Sequence, residues 1–378
     1  MIAGRVEQLS VKGFRSLRNV TLPLDHVAVY RGGNGTGKTN IYRSLEFCRH
    51  AARGDLSLWL AKQGGLSSCR WSGETRTHEK ARIAISVTVG DLRYNIEVGH
   101  PTPTTAAFEN EPLIKEETVE ALYSGRTRTL MKRHGPSVTL SGLDGSKQHW
   151  DEMLLPSETA LSRLPAEAAA SDVAGLRDAL LDWRFFHRFR VDTDSPLRRP
   201  TPGVTATRLD SDGANLPAVF ATLEHIRQDT TDLRALVRQA FSNAELVIPP
   251  PEDQAAFFIR WPDFPKRLFS QAELSDGTLQ FLALCGALLS YHPPRLVVLN
   301  EPEASLHPDM MPALASLIGS AAETTQIIIV THSNELAAQL EQRLACPIRV
   351  VEKHDGETVI AGLTALGTFR DDQDGKAD

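Results

Sequence analysis

Cysteine is scarce in this chain of 378 residues, and the four present (Cys48, Cys69, Cys285 and Cys346) lie far apart. Their spacing fits neither a zinc site nor a redox pair, so they read as small core residues in a reducing, cytoplasmic compartment. No apolar run approaches the ~18 residues of a membrane span. The opening MIAGRVEQLSVKGFRS has no apolar segment behind a basic start, so neither a membrane partner nor an export signal is expected. Positive charge is not in surplus: 41 Lys and Arg face 47 Asp and Glu, a net charge of −6. That weighs against a polycation that coats nucleic acid, while leaving room for a local basic face. Internal repeats and heptad arrays are missing, which excludes long coiled-coil arms. What remains is an ordinary globular balance, 41% apolar and 23% charged, at a length of two to three domains.

Residues 5–30 alternate apolar and polar positions in the manner of short antiparallel strands feeding one buried strand, His26-Val27-Ala28-Val29-Tyr30. A glycine-rich stretch follows, and then Ile41, Leu45 and Cys48 recur at helical spacing, predicting a helix over about 38–53. Residues 81–98 predict a hairpin turning at Gly90-Asp91, with further strands around Gly135-Pro136 and Gly142–Gly145. Loops are expected at 101–112 and 192–217, and helices near 171–187 and 217–242. Leu279–Ser290 reads as an apolar helix stopped by Pro293-Pro294. The aliphatic runs Leu296–Leu299 and Ile327–Val330 fit parallel strands buried on both faces. The tail from Asp371 is polar.

The glycine stretch carries the first chemistry. Gly32, Gly37, Lys38 and Thr39 satisfy G-x-x-x-x-G-K-[ST]. Glycines let backbone N–H groups approach phosphate oxygens without a Cβ in the way, and the helix that starts there favours the same anion. Gly32, Gly33, Asn34, Gly35, Thr36, Gly37, Lys38, Thr39 and Asn40 are the expected nucleotide-binding set. Lys38 reaches the β- and γ-phosphates of ATP, and Thr39 ligates Mg²⁺.

The second chemistry lies at the ends of the two aliphatic runs. Leu296–Leu299 leads into Asn300-Glu301-Pro302-Glu303. A buried strand ending in acid suggests the metal and water side of the same pocket. Asn300 stands where an Asp is usual, so it offers a carbonyl oxygen to the metal without charge; Glu301 or Glu303 can compensate. Glu301 is the candidate general base. Ile327–Val330 leads into Thr331-His332-Ser333, which places His332 to contact a γ-phosphate.

Taken with Leu274-Ser275-Asp276-Gly277-Thr278, about 25 residues before Glu301, these motifs resemble the ATPase head of the SMC/RecF-like branch of ABC ATPases. The opening Gly13-Phe14-Arg15-Ser16-Leu17 fits the same branch. The likeness covers roughly 1–65 and 268–340. It implies an α/β P-loop head with a mixed or parallel core sheet, an antiparallel β subdomain and a helical lobe. The implied division is 1–65 and 268–370 as the ATPase core, 66–165 as a β-rich insertion, 166–267 as a helical and loop lobe, and 371–378 as a tail. It also implies a homodimer in which Ser275 and Gly277 of one head meet the ATP of the other, with Ser305–Pro308 crossing the seam and Gln63 as a Mg²⁺-sensing residue. Asp276 replaces a glycine of the usual signature, and an acid beside a phosphate is unfavourable unless it points away.

Residues 184–208 hold six arginines, with Trp183, Phe185, Phe186 and Phe189 interleaved. This stretch reads either as a DNA-contacting face or as a helix whose aromatics are a core stripe, with His187 an ordinary helix residue. No second catalytic constellation is present, so nuclease or toxin activity would come from a separately encoded effector. The expected function is an ATP-hydrolysing, ATP-dimerised switch acting on DNA or such an effector, in DNA repair or defence against phage. The alternative is a catalytically weak nucleotide sensor, and a transporter's ATPase subunit fits less well.

Overall fold

A computed structural model of the chain describes residues 4–74, 81–100, 108, 111–123, 125–142, 146–150, 153–164, 171–228 and 230–370. Most of the loop expected at 101–112, the segment 143–145 and the tail from Asp371 lie outside the described residues. The chain forms two compact units, one drawn from residues up to Asp25, Gly32–Trp183 and Arg349 onward, the other from His26–Arg31 and Arg184–Ile348.

The first unit is built on an antiparallel sheet. Its strands are β1 (Val6–Phe14), β2 (Leu17–Pro23) and, after β3 (Val27–Arg31) has been given to the other unit, β4 (Arg82–Val89), β5 (Leu92–Gly99), β6 (Leu113–Tyr123), β7 (Arg126–His134), β8 (Ser137–Ser141) and β9 (Lys147–Trp150). Their order is β2-β1-β4-β5-β6-β7-β8-β9. Alternation decides the packing: Leu9 and Val11, Ile83 and Ile85, Tyr94 and Ile96 are buried, while the residues between them are not. The hairpin at Gly90-Asp91 forms with Val89 opposite Leu92. Because β1 pairs with β4, the chain's opening strands join the expected insertion in one sheet.

Against this sheet lies α1 (Lys38–Arg53), with Ile41, Leu45, Cys48 and Ala52 inward. Beyond it come α2 (Leu56–Lys62), α3 (Gly65–Cys69), α4 (Ala160–Arg163) and α5 (Ser171–Asp182). Phe14, Phe47 and Trp59 pack with centroids 6.0–6.5 Å apart, Phe47 edge-on to the other two, and lock α1 and α2 onto β1.

The second unit has a parallel sheet, β10 (Arg184–Phe186)–β16 (Leu296–Asn300)–β17 (Gln326–Thr331)–β3. Every residue of β16 and β17 is buried, as their unbroken aliphatic runs require. The same unit holds the small ladders β11 (Thr201–Pro202) with β13 (Gln254–Ala255), and β12 (Glu245–Val247) with β14 (Phe258–Arg260) and β15 (Phe269–Ser270). Its helices are α6 (Leu216–Thr222), α7 (Thr231–Ala240), α8 (Asp276–Leu288), α9 (Met311–Ala322) and α10 (Asn334–Leu344). The last hairpin, β18 (Ile348–His354) with β19 (Glu357–Ile360), returns the chain to the first unit from Arg349.

Two helix expectations are corrected. The helix predicted over 171–187 ends at Asp182, and Arg184–Phe186 is a strand registered against Val297–Leu299. Aromatics at 183, 185 and 186 suit a pleated edge as well as a helix stripe, and pairing with β16 decides for the strand. The helix over 217–242 is interrupted: a wide turn at Leu223–Arg227 ends at Gln228, whose φ of 55° leaves the helical region before α7 begins.

Candidate functional site

In the first unit the glycine loop runs from Gly32 to Gly37, which caps α1 in the left-handed conformation at φ 93°. Lys38 opens the helix, is buried, and its Nζ donates to Gly33 O at 2.6 Å, so the ammonium lies folded across the loop. Thr36 Oγ1 donates to the same carbonyl at 3.0 Å. Gly33, Asn34 and Gly35 are exposed, and nothing stands within 4 Å of where a Gly35 Cβ would be. The loop is open toward solvent and glycine-lined, a cradle of main-chain amides at a helix start, which fits a polyphosphate.

Behind the loop sits a brace that has no signal in the sequence. Thr358 of β19 donates through Oγ1 to Thr36 O at 2.8 Å, and its hydroxyl is 2.6 Å from that of Ser16. Asn40 Nδ2 donates to Ser16 Oγ at 2.7 Å, and Thr358 N donates to Ser16 O at 2.8 Å. Gln63, at the end of α2, accepts from Arg15 Nη2 through Oε1 at 3.0 Å.

In the second unit, parallel pairing puts Asn300 of β16 opposite Val330 of β17 and so brings the two chemical strand ends together. Glu301 follows with φ 53°, a left-handed backbone rare outside glycine, pinned by its N–H donating to Val330 O at 2.7 Å. Glu301 Oε1 stands 3.7 Å from His332 Nδ1. Glu303 is the anchor of the group: its Oε1 accepts from Thr331 Oγ1 at 2.5 Å, His332 N at 3.0 Å and Ser333 N at 3.2 Å, and lies 3.2 Å from His332 Nδ1. Ser333 then caps α10, accepting from Leu336 N at 3.1 Å.

His187, read from sequence as a helix residue, follows β10 and meets this cluster. Asn300 Nδ2 donates to its Nδ1 at 2.7 Å. That contact occupies the amide nitrogen, and Asn300 Oδ1 is left buried without a hydrogen-bond partner, as is Glu303 Oε2. Two buried oxygens in that condition are what a hydrated divalent cation would satisfy, so the donor set fits Mg²⁺. A run of aromatics after a finished helix was the available hint of the strand that delivers His187.

The signature segment is also in the second unit. Ser275 caps α8, accepting from Thr278 N at 3.3 Å. A Cβ on Gly277 would sit 2.8 Å from Ser305 O, so glycine there admits the loop of Ser305, itself left-handed at φ 67°. Of the arginines in 184–208, Arg190 pairs with Asp192 at 2.6 Å, Arg198 with Asp276 at 2.6 Å, and Arg208 Nε donates to His292 O at 2.8 Å. These three side chains meet the chain's own acceptors. Among the described residues no helix is long and apolar enough to cross a membrane.

Several known proteins are similar to this chain. The phosphate import ATP-binding protein PstB of Mycobacterium leprae is 30% identical over 130 residues, 31% of this chain and 50% of the relative, so the chain spans about half the length of that curated protein. Among solved structures, an SMC head bound to the C-terminal winged-helix domain of ScpA matches at 15% identity over 94% of this chain and 97% of that one, with a TM-score of 0.50. An SMC head domain from Thermotoga maritima matches at 14% identity over 94% and 98%, with a TM-score of 0.43. The fold is thus that of a P-loop ATPase head of the SMC kind. Residues 143–338, more than half of the chain, match the family described as "AAA domain, putative AbiEii toxin, Type IV TA system". The chain belongs to this AAA-domain family.

Proposed function

We propose that the chain binds and hydrolyses ATP with Mg²⁺, and that two copies close head-to-tail on the nucleotide as a switch acting on DNA or on a separately encoded nuclease or toxin, in DNA repair or anti-phage defence. The glycine loop and the folded Lys38 ammonium support nucleotide binding. The observation that carries hydrolysis is the 3.7 Å approach of Glu301 to His332 at the ends of neighbouring parallel strands.

In this reading Lys38 leaves Gly33 O and binds the β- and γ-phosphate oxygens, while loop amides hold the rest of the chain of phosphates. Thr39, Asn300 and Gln63 would hold Mg²⁺, whose chemistry would be to neutralise negative charge on the phosphates. Glu301 takes the proton of the attacking water through its carboxylate. His332, fixed by the Glu303 contacts to its backbone, donates toward the γ-phosphate as charge grows there. Ser275 and Gly277 of the second copy meet the γ-phosphate from the far side.

Size-exclusion chromatography with phosphate-release measurements tests this. Glu301→Gln should retain ATP and accumulate dimers, and Lys38→Ala should lose both. A Glu301→Gln protein that stays monomeric at saturating Mg-ATP would refute closure. A nucleotide sensor is the second reading, favoured by the uncharged Asn300; ATP binding without phosphate release above the Lys38→Ala background would select it.

A further inference from the structure

Arg198 makes five hydrogen bonds within the second unit. It ends a short turn, Pro196–Arg198, that is itself firmly built: fully buried Ser195 caps it by accepting from Leu197 N at 3.1 Å, and Ser195 Oγ donates to Arg190 O. From there the Arg198 side chain, only 13% exposed, crosses to the signature segment. Its Nε donates to Val191 O at 3.0 Å and Asp192 O at 3.1 Å. Its Nη1 donates to Ala272 O at 3.1 Å and Leu274 O at 2.8 Å, and its Nη2 to Asp276 Oδ1 at 2.6 Å. One planar fork therefore ties a loop about 75 residues upstream to the two carbonyls before Ser275 and to the acid after it.

We propose that Arg198 is a positioning residue that clasps the signature segment and neutralises Asp276, so that Ser275 and Gly277 are set for a phosphate while the acid beside them is tied down. The physical need is plain. Ala272 and Leu274 carbonyls precede the Ser275 cap, and without a donor they are free to turn, taking the cap with them. Asp276, with its side chain 60% exposed, would otherwise present a bare negative charge at the helix start that a phosphate must approach. A lysine could meet one of these acceptors as a point charge but could not span them. The consequence for closure rests on the nucleotide-driven association proposed above; the clasp itself does not.

The test has two arms on the full chain. In the first, amide hydrogen exchange is followed on nucleotide-free protein. Arg198→Ala should raise exchange at Thr278 and Leu279 by about tenfold, leaving β16 and β17 unchanged, and Arg198→Lys should fall between. In the second, association on saturating Mg-ATP is measured by size-exclusion chromatography. Arg198→Ala should need about tenfold more protein to associate, and adding Asp276→Asn should recover most of the loss. A purely structural role predicts no recovery, because that change supplies no new contact. If Arg198→Ala fails to fold, Arg198→Lys with and without Asp276→Asn carries both arms. Unchanged exchange overturns the clasp, and lost association without recovery overturns the neutralising role. A wild-type chain that stays monomeric refutes closure and with it that second role, leaving the clasp to be decided by exchange.

Discussion

Gly37 and Thr358 lie 321 positions apart, yet a β-carbon on Gly37 would overlap the Thr358 hydroxyl. The glycine loop is therefore shaped from behind by the β18–β19 hairpin as well as by its own glycines. Gly37→Ala meets two penalties, the φ of 93° and this overlap, which Ser16 Oγ shares. It should lower stability by about 2 kcal/mol or more and weaken ATP binding. In a Thr358→Ala background the overlap is reduced and the left-handed strain is not. A double-mutant cycle on thermal melts should then show partial recovery, and strict additivity would remove the brace from the account.

Asn300 supplies a second test. Asn300→Asp restores a charge beside the metal-fitting oxygens and gives His187 a carboxylate in place of an amide. Magnesium affinity of the ATP complex should rise about tenfold, equal to ~1.4 kcal/mol. Calorimetric titration of Mg²⁺ into protein with ATP reads it, and an unchanged affinity would place this side chain out of the metal's reach.

Glu303 is expected to matter more for order than for chemistry. Its Oε1 gathers Thr331 Oγ1 and the N–H groups of His332 and Ser333. Glu303→Ala strands these donors and should cost about 2–4 kcal/mol in urea unfolding, with phosphate release falling as His332 loses its hold. Glu303→Gln keeps an acceptor oxygen and should cost less than half of that. Equal losses would show that charge, not geometry, is what the site takes from this residue.

A pH effect is built into α1. Burial raises the Glu46 carboxyl to about 7, against the pull of Arg43, Arg49 and the Tyr42 hydroxyl that donates to it. The folded chain thus holds a proton that the unfolded chain has released between about pH 4.5 and 7. Stability from this group is full below that window and lost as pH rises through it. Glu46→Gln, which cannot ionise, should stabilise the chain relative to wild type by roughly 3 kcal/mol at pH 8 and little at pH 4. Urea unfolding at the two pH values decides, and a pH-independent difference would exclude the titration.

Much of this was legible beforehand because the signals were local. Gly32–Thr39 between a strand and a helix, and aliphatic runs ending in Asn300-Glu301 and Thr331-His332, describe their own positions. What escaped was non-local. Trp183–Phe189 spaces its aromatics in a way that suits helix or strand, and only β16 decides. Thr358 and Arg198 are ordinary residues until the chain folds them against Ser16 and Asp276. Asp276 is unfavourable in the sequence alone for the same reason, since the guanidinium that answers it is 78 positions away.

The interleaving of the two units has a practical outcome for anyone trimming this protein. A single six-residue visit, His26–Arg31, supplies β3 to the second unit. A fragment starting at Arg184 would leave the ladder of β17, Ile327 to Thr331, bare along one side. Such an edge is a template for intermolecular pairing, so the piece should come out of the ribosome sticky, and recombinant work will need both ends of the gene.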